Sequence, residues 1–400
     1  MASDNATSQI VALKKIQMEN ETNGFPITAI REIKILKLLN HTNMVNLIDI
    51  VTSKENDMTP KFVYMVFEYC EYDLMGILDT SEIFITIDHV KAWSQQIIKG
   101  CHYMHSCNII HRDLKTANIL VTRSGQIKIA DWGLARSWNK SATRLTPVVC
   151  TLWYRSPEVL LGNRNYTAAM DMWSVGCIVA EMFFRKPLLP GRIEIAQLSK
   201  IFELCGTPNI NFQGANGGWA EWPRNSPHWK DLCSAYDPEL CNNQGMGMGT
   251  GMGNFNGQGT GMGMGMGGGG GNECIVMRSN LRNFLATCNE PKISETGMQL
   301  IESFLKLNPA ERLTAGAAVT HEWFYDAPAV KPAAELNMNW KCESVHESEA
   351  KDAKAAKRQK RGAGSGGNST VKPGSGSGGG NNSGRGGGSG SGSGSGGRQK

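Results

Sequence analysis

The chain has 400 residues, 40% of them hydrophobic and 19% charged, an ordinary balance for a globular protein with room for a large core or two domains. Its net charge of +5 is uneven: residues 351–400 hold ten Lys and Arg against one Asp, leaving 31 Lys and Arg against 35 Asp and Glu in residues 1–350, so the basic excess belongs to the tail and the body offers no general attraction for nucleic acid. Eleven cysteines, odd in number and without a CxxC pair, argue against a disulfide framework or zinc site and suit a reducing compartment, while no apolar run is long enough for a membrane span and the first fifteen residues lack a signal-peptide layout.

VALKK at 11–15 reads as a short apolar strand that delivers Lys14. PITAIREIKILKLL at 26–39 reads as a helix, with Pro26 suited to the first turn and an IxxIxxL spacing suited to a core face. FVYMVFEY at 62–69 reads as a strand, IDHVKAWSQQIIKGCHYMH at 87–105 as a helix, and ILV and IKIA around RSGQ at 119–130 as two further strands. Strands dominate early and helices later. That order predicts an α+β protein, with a small β-rich lobe ahead of a larger helical one. Between 245 and 272 the chain becomes GMGMGTGMGNFN and similar; the backbone entropy of glycine opposes a fixed conformation there, which predicts a disordered insertion rather than a methionine-rich binding patch. From about Ala363 the composition is almost pure Gly, Ser and Asn, a flexible chain.

The chemistry lies in the middle. IIHRDLKTANILV at 109–121 sets Asp113, Lys115 and Asn118 in a polar loop between apolar segments, and DWGLAR at 131–136 follows directly on IKIA. A carboxylate that orients a hydroxyl, a lysine that neutralises a moving phosphoryl group, and an Asn with a second Asp that hold Mg²⁺ are the parts phosphoryl transfer requires. Any one of these pieces reads equally well as a capped turn with solvated charges; their order and spacing together do not.

With these motifs the chain resembles a eukaryotic protein kinase over about residues 8–325. VALK at 11–14 is similar to the lysine strand, Glu32 to the ion-pair partner of Lys14, HRDLKTAN to the catalytic loop, DWG to the magnesium site and SPE at 156–158 to the end of the activation segment. Lys115 two residues after Asp113 follows the serine/threonine pattern. PITAIRE at 26–32 and TLWYRSPEVLLG at 151–162 resemble cyclin-dependent kinases, and PITAIRE with MVFEYCEYDLMGIL is most similar to the transcription-associated branch that phosphorylates the RNA polymerase II tail. The resemblance implies a bilobal kinase fold, with residues 1–69 as the small lobe, 70–327 as the large lobe carrying the insertion, and 328–400 as a disordered basic tail.

It also implies roles. Asp113, Lys115, Lys14 and Glu32 would be catalytic, and Asn118 and Asp131 would hold Mg²⁺. ATP would sit against Phe67, between Ala12 and Leu120, with backbone hydrogen bonds from Glu68 and Cys70. Thr146 would be the activating phosphothreonine, received by Arg31, Arg112 and Arg136. A cyclin would bind the helix carrying Glu32, and the substrates would be proteins with Ser/Thr-Pro sites, in transcription control in the nucleus, where KRQKR at 357–361 reads as an import signal or as only a solvated charge run. Glu158 with Arg312 and Asp171 resemble structural residues of the large lobe. Trp132 replaces the commoner Phe, and Cys150 stands where many relatives have Val. Only thirteen residues precede Lys14 and none is glycine, so the small lobe is expected to be truncated, without its first strands and glycine-rich loop. The alternative reading is a catalytically impaired, kinase-derived cyclin-binding protein.

Overall fold

The computed structural model describes residues 1–17, 25–53, 62–138, 150–207, 278–338, 340 and 344–346. All belong to a compact unit formed by Met1–Ala353. Thr146, the Gly/Met-rich stretch at 245–272 and KRQKR at 357–361 lie outside the described residues.

The small lobe is built on an antiparallel sheet of β1 (Ala2–Ser3), β2 (Ile10–Ile16), β3 (Leu47–Thr52) and β4 (Val63–Glu68) in the order β1-β2-β4-β3. On β2, Ala12, Lys14 and Ile16 share one face and Leu13 and Lys15 the other, and Lys14 lies across from Met65 of the central β4. Ahead of VALKK lie β1 and an Asp4 turn, in which Asp4 accepts the Ala6 N–H and the Thr7 hydroxyl. Strand β3 was not legible in advance: LIDIVT is exposed at four of its six positions, and what makes it a strand is the second edge of β4, whose N–H and C=O groups need a partner.

Helix α1 (Ile27–Leu38) runs beside this sheet, burying Ala29, Glu32, Ile35 and Leu36 on one face. Pro26 is its N-cap, one position before the first turn in which it was expected. Beyond β4 the chain passes through β5 (Tyr72–Asp73) into α2 (Leu74–Asp79) and α3 (Ile87–Ser106), then β6 (Ile109–Ile110), β7 (Ile119–Val121), β8 (Ile127–Ile129) and β9 (Arg136–Ser137). These strands pair as β5-β7-β8 and β6-β9, and so pin both ends of the polar loop 111–118. Among the described residues, helices α4 (Pro157–Leu160), α5 (Ala169–Phe184), α6 (Glu194–Cys205), α7 (Leu281–Ala286), α8 (Glu295–Phe304) and α9 (Ala315–Ala318) make up the rest of the large lobe.

Helix α5 is the centre of that lobe. It is buried without interruption from Met170 to Phe183, the polar Asp171, Ser174 and Glu181 included, and α3 and α8 pack against it. Burial of a large apolar side chain such as Trp93, Trp173 or Phe304 contributes about 2–3 kcal/mol each. The close approach of α8 depends on Gly176, where a Cβ would come within 2.8 Å of the Phe304 Cβ.

The folded body does not end at 327. Lys91, buried on α3, donates to the carbonyls of Asp326 and Pro328 at 2.9 Å, and Leu336 is 7% exposed. The ring of Trp340 meets Tyr72 at 5.0 Å, and Val345 pairs in parallel with Tyr72, donating to Glu71 O and accepting from Asp73 N. Apolar Leu336, Trp340 and Val345, spaced along a polar segment, are what a reading based on overall polarity passes over.

Candidate active site

Four elements deliver charged groups to one place. Strand β2 presents Lys14, whose Nζ lies 2.8 Å from Glu32 Oε1 on α1 and 2.8 Å from Asp131 Oδ1 after β8. Burial opposes the charge on Lys14, but the carboxylates of Asp131 and Glu32 outweigh it, so the ammonium titrates above the usual lysine value. The same balance, with burial opposed by Lys14, holds the Asp131 carboxyl below the usual aspartate value. Asp131 has φ of 64°, a left-handed conformation uncommon outside glycine, which turns its carboxylate back toward Lys14.

The polar loop is organised from below by Asp171 on α5. Its carboxylate accepts from the N–H groups of His111 at 2.9 Å and Arg112 at 3.0 Å and contacts His105 Nε2 at 3.0 Å. Although burial raises it, the His105 hydrogen bond and the charges around it keep this carboxyl below the ordinary value. His111 Nδ1 accepts the Asp113 N–H at 3.2 Å, so its proton resides on Nε2 and is donated to Ala130 O at 3.0 Å. Trp132, 1% exposed, packs on the His111 ring with centroids 4.8 Å apart, so the larger ring is accommodated.

Asp113 is the hub above this base. Oδ1 accepts from Thr151 N at 2.9 Å and Thr151 Oγ1 at 3.1 Å, and Oδ2 receives Lys115 Nζ at 3.0 Å and Asn118 Nδ2 at 3.2 Å. Asn118 Nδ2 also donates to Asp113 O at 2.8 Å, which leaves the amide oxygen as the ligand end of that side chain. Asn118 and Asp131 therefore offer hard oxygen donors of the kind Mg²⁺ selects, and among the described residues no group of three or more His, Cys, Asp and Glu forms a complete metal cage. Such a pair fits a Mg²⁺ that takes its other ligands from phosphate and water.

The remaining expected residues fall around this centre. Ala12 lies across the sheet from Phe67, Glu68 ends β4 with buried Cys70 two residues beyond it, and Leu120 sits on β7 opposite Asp73. Glu68 also uses its side chain, accepting from Asn46 N at 2.7 Å and Lys128 Nζ at 2.9 Å. Arg112 donates to Leu134 O and to the Tyr166 hydroxyl, and Arg136 donates to Ala135 O. Burial, with the charges of Arg112 and Arg31 acting on it, pulls the Arg136 guanidinium below its usual value. Glu158 and Arg312 form a buried two-point pair at 2.8 and 2.9 Å.

Two features escaped the sequence reading. Thr151 is the direct partner of Asp113, and Arg155 Nη2 donates at 2.9 Å to the carbonyl of Cys150, whose φ of 68° turns that carbonyl toward the arginine. The left-handed turn at a non-glycine residue left no signal in the sequence.

Comparison with known proteins follows the same lines. The model of the protein kinase domain family matches residues 1–324. Cyclin-dependent kinase C-1 of Arabidopsis thaliana is 48% identical over 220 residues, covering 52% of this chain and 44% of that protein. Cyclin-dependent kinase G1 of the same plant is 36% identical over 334 residues, covering 82% and 47%. The chain thus spans less than half the length of these curated relatives. Among solved structures, a chain of the yeast RNA Pol II CTD kinase CTDK-1 complex superposes with a TM-score of 0.65 at 31% identity, over 83% of this chain and 91% of that one.

Proposed function

We propose, from the premise that this chain belongs to the protein kinase family and within it to the cyclin-dependent kinases, that it transfers the γ-phosphate of ATP to serine or threonine followed by proline. The observation that carries this reading is the closed chain from Glu32 through Lys14 to Asp131, set beside the Asp113, Lys115 and Asn118 loop. Asp113 orients the substrate hydroxyl and takes its proton as the new O–P bond forms; Lys115 meets the charge of the transferring group; Lys14, held by Glu32, meets the nucleotide phosphates. Asn118 and Asp131 hold Mg²⁺, which when bound neutralises charge on phosphate oxygens. Ala12, Phe67, Glu68, Cys70 and Leu120 form the adenine side of the site.

Preference for proline has a physical basis next to Asp113. The Cys150 carbonyl is taken by Arg155, so a substrate N–H presented there stays unpaired, at a cost of about 1–3 kcal/mol. Proline has no N–H to strand. The arginine cluster supports Thr146 as the activating phosphothreonine. On the outer face of α1, Ile27 is 65% exposed and Ile30 is 39% exposed, a surface that suits a cyclin holding Glu32 inward. The relation to a CTD kinase supports RNA polymerase II tail repeats as substrate and the nucleus as the place of action.

Radiolabel transfer from ATP to a Ser-Pro repeat peptide, with and without a cyclin, tests the reading. Cyclin-dependent labelling is expected, lost in Asp113→Asn and on replacing the proline by alanine. No labelling under any condition would leave a cyclin-binding protein instead.

A further inference from the structure

Three side chains from three elements close a ring beneath the catalytic loop. Thr116 follows Lys115 in a 3-10 turn, Tyr154 lies three residues after Thr151, and Glu181 projects from α5. They are 0%, 3% and 3% exposed. Tyr154 OH lies 2.7 Å from Glu181 Oε2, Thr116 Oγ1 lies 3.3 Å from Glu181 Oε1, and Thr116 Oγ1 lies 3.0 Å from Tyr154 OH.

Three oxygen–oxygen contacts need three hydrogens. The two hydroxyls supply two, and an ionised carboxylate supplies none. All three contacts are made together only when Glu181 carries a proton. The carboxyl O–H then donates to Tyr154, the phenol O–H to Thr116, and the threonine O–H back to the other oxygen of Glu181. With the proton gone, two hydroxyls face three contacts and one buried oxygen pair is left without a hydrogen.

The surroundings favour the proton. Burial, reinforced by Asp79 at the end of α2, pushes the Glu181 carboxyl up to about 7 against the pull of its hydrogen bonds from Tyr154 and Thr116. Burial and Glu181 raise the Tyr154 phenol, and burial raises the thiol of Cys177, one turn earlier on α5, so both stay neutral. Among the described residues, the groups acting on this carboxyl include no cation.

We propose that Glu181 is a proton-carrying positioning residue, whose neutral carboxyl closes a ring with Tyr154 and Thr116 that locks the substrate segment onto the catalytic loop, and whose ionisation opens it. The lock reaches the chemistry at both ends, since Thr116 adjoins Lys115 and the segment of Tyr154 carries Thr151, which donates twice to Asp113. Only this consequence for activity rests on the phosphoryl-transfer reading; the protonation of Glu181 does not.

Infrared difference spectra of the full chain, wild type against Glu181→Gln, read the proton directly. A protonated-carboxyl carbonyl band is expected in acid and lost around neutrality over a titration from about pH 5.5 to about pH 8.5. Its absence throughout overturns the proposal, whether or not the chain transfers phosphate. In the peptide assay, kcat/KM of the wild type falls above neutrality toward a limit of about tenfold per pH unit. Glu181→Gln loses that response, because its amide donates to Tyr154 and accepts from Thr116; the same fall in both proteins overturns the lock. Should Glu181→Gln not fold, Tyr154→Phe takes one hydroxyl out of the ring, and the band midpoint shifts from its wild-type position. An unmoved midpoint counts against the ring.

Discussion

Lys14 is satisfied by two carboxylates from opposite lobes, so its replacement strands both. If Lys14 meets the nucleotide phosphates as proposed, Lys14→Met is expected to lower kcat/KM by about a hundredfold or more. Thermal melting separates that loss from unfolding. Arg312 differs in kind: its pair with Glu158 is fully buried, and removing one partner leaves an uncompensated charge. Arg312→Ala should therefore cost about 3–5 kcal/mol of stability by denaturant unfolding. Thr146→Ala, assayed with cyclin present, should depress turnover strongly, whereas Thr143→Ala should not; equal activity of Thr146→Ala and wild type would remove the phosphate-receiving role of Arg31, Arg112 and Arg136.

At the scale of elements, α1 has two faces with separate duties. Ala29, Glu32, Ile35 and Leu36 pack inward, while Ile27 and Ile30 lie outside the core. Ile27→Asp with Ile30→Asp should leave the melting of the isolated chain near wild type and abolish activation by a cyclin; unchanged activation would exclude this face. Trp340 and residues 344–346 make a second such contact, against β5 and the start of α2. Gly76 makes room for it, since a Cβ there would come within 2.9 Å of Val345 O. Trp340, half-buried against Tyr72, should cost about 2 kcal/mol when changed to alanine, less than the 3–5 of a fully buried aromatic. A stability unchanged by Trp340→Ala would mean that this segment is not held in solution.

The whole molecule integrates two buried carboxyls whose effects on stability have opposite sign. Asp171 titrates below its ordinary 3.8 in the fold, so its contribution is complete above that value and is lost as acid protonates it. Glu181 titrates near 7 in the fold against an ordinary 4.5, so folding is favoured most below 4.5 and loses about 3 kcal/mol as pH rises from there to neutrality. Melting scanned against pH should therefore show, from these two groups, a maximum at about pH 4 and a decline from there to neutrality. Glu181→Gln should flatten the alkaline side and leave the acid limb in place.

What the sequence determined by itself was local: the order of strands and helices, and the identity of groups that must sit a fixed number of residues apart. Asp113, Lys115 and Asn118 share one loop, and Lys14 sits on a short apolar strand, so the placement of these groups was legible in the sequence. Strand β3 was not, because its pairing depends on the free edge of β4 and not on its own exposed residues. The end of the folded body was missed for a similar reason: three spaced apolar residues in a polar segment acquire meaning only once Tyr72 offers them a surface. The turn at Cys150, the hold of Thr151 on Asp113 and the ring of Thr116, Tyr154 and Glu181 join positions up to 65 residues apart. No periodicity or spacing encodes such contacts; they arise where separate elements, each chosen for its own burial, are brought together around α5.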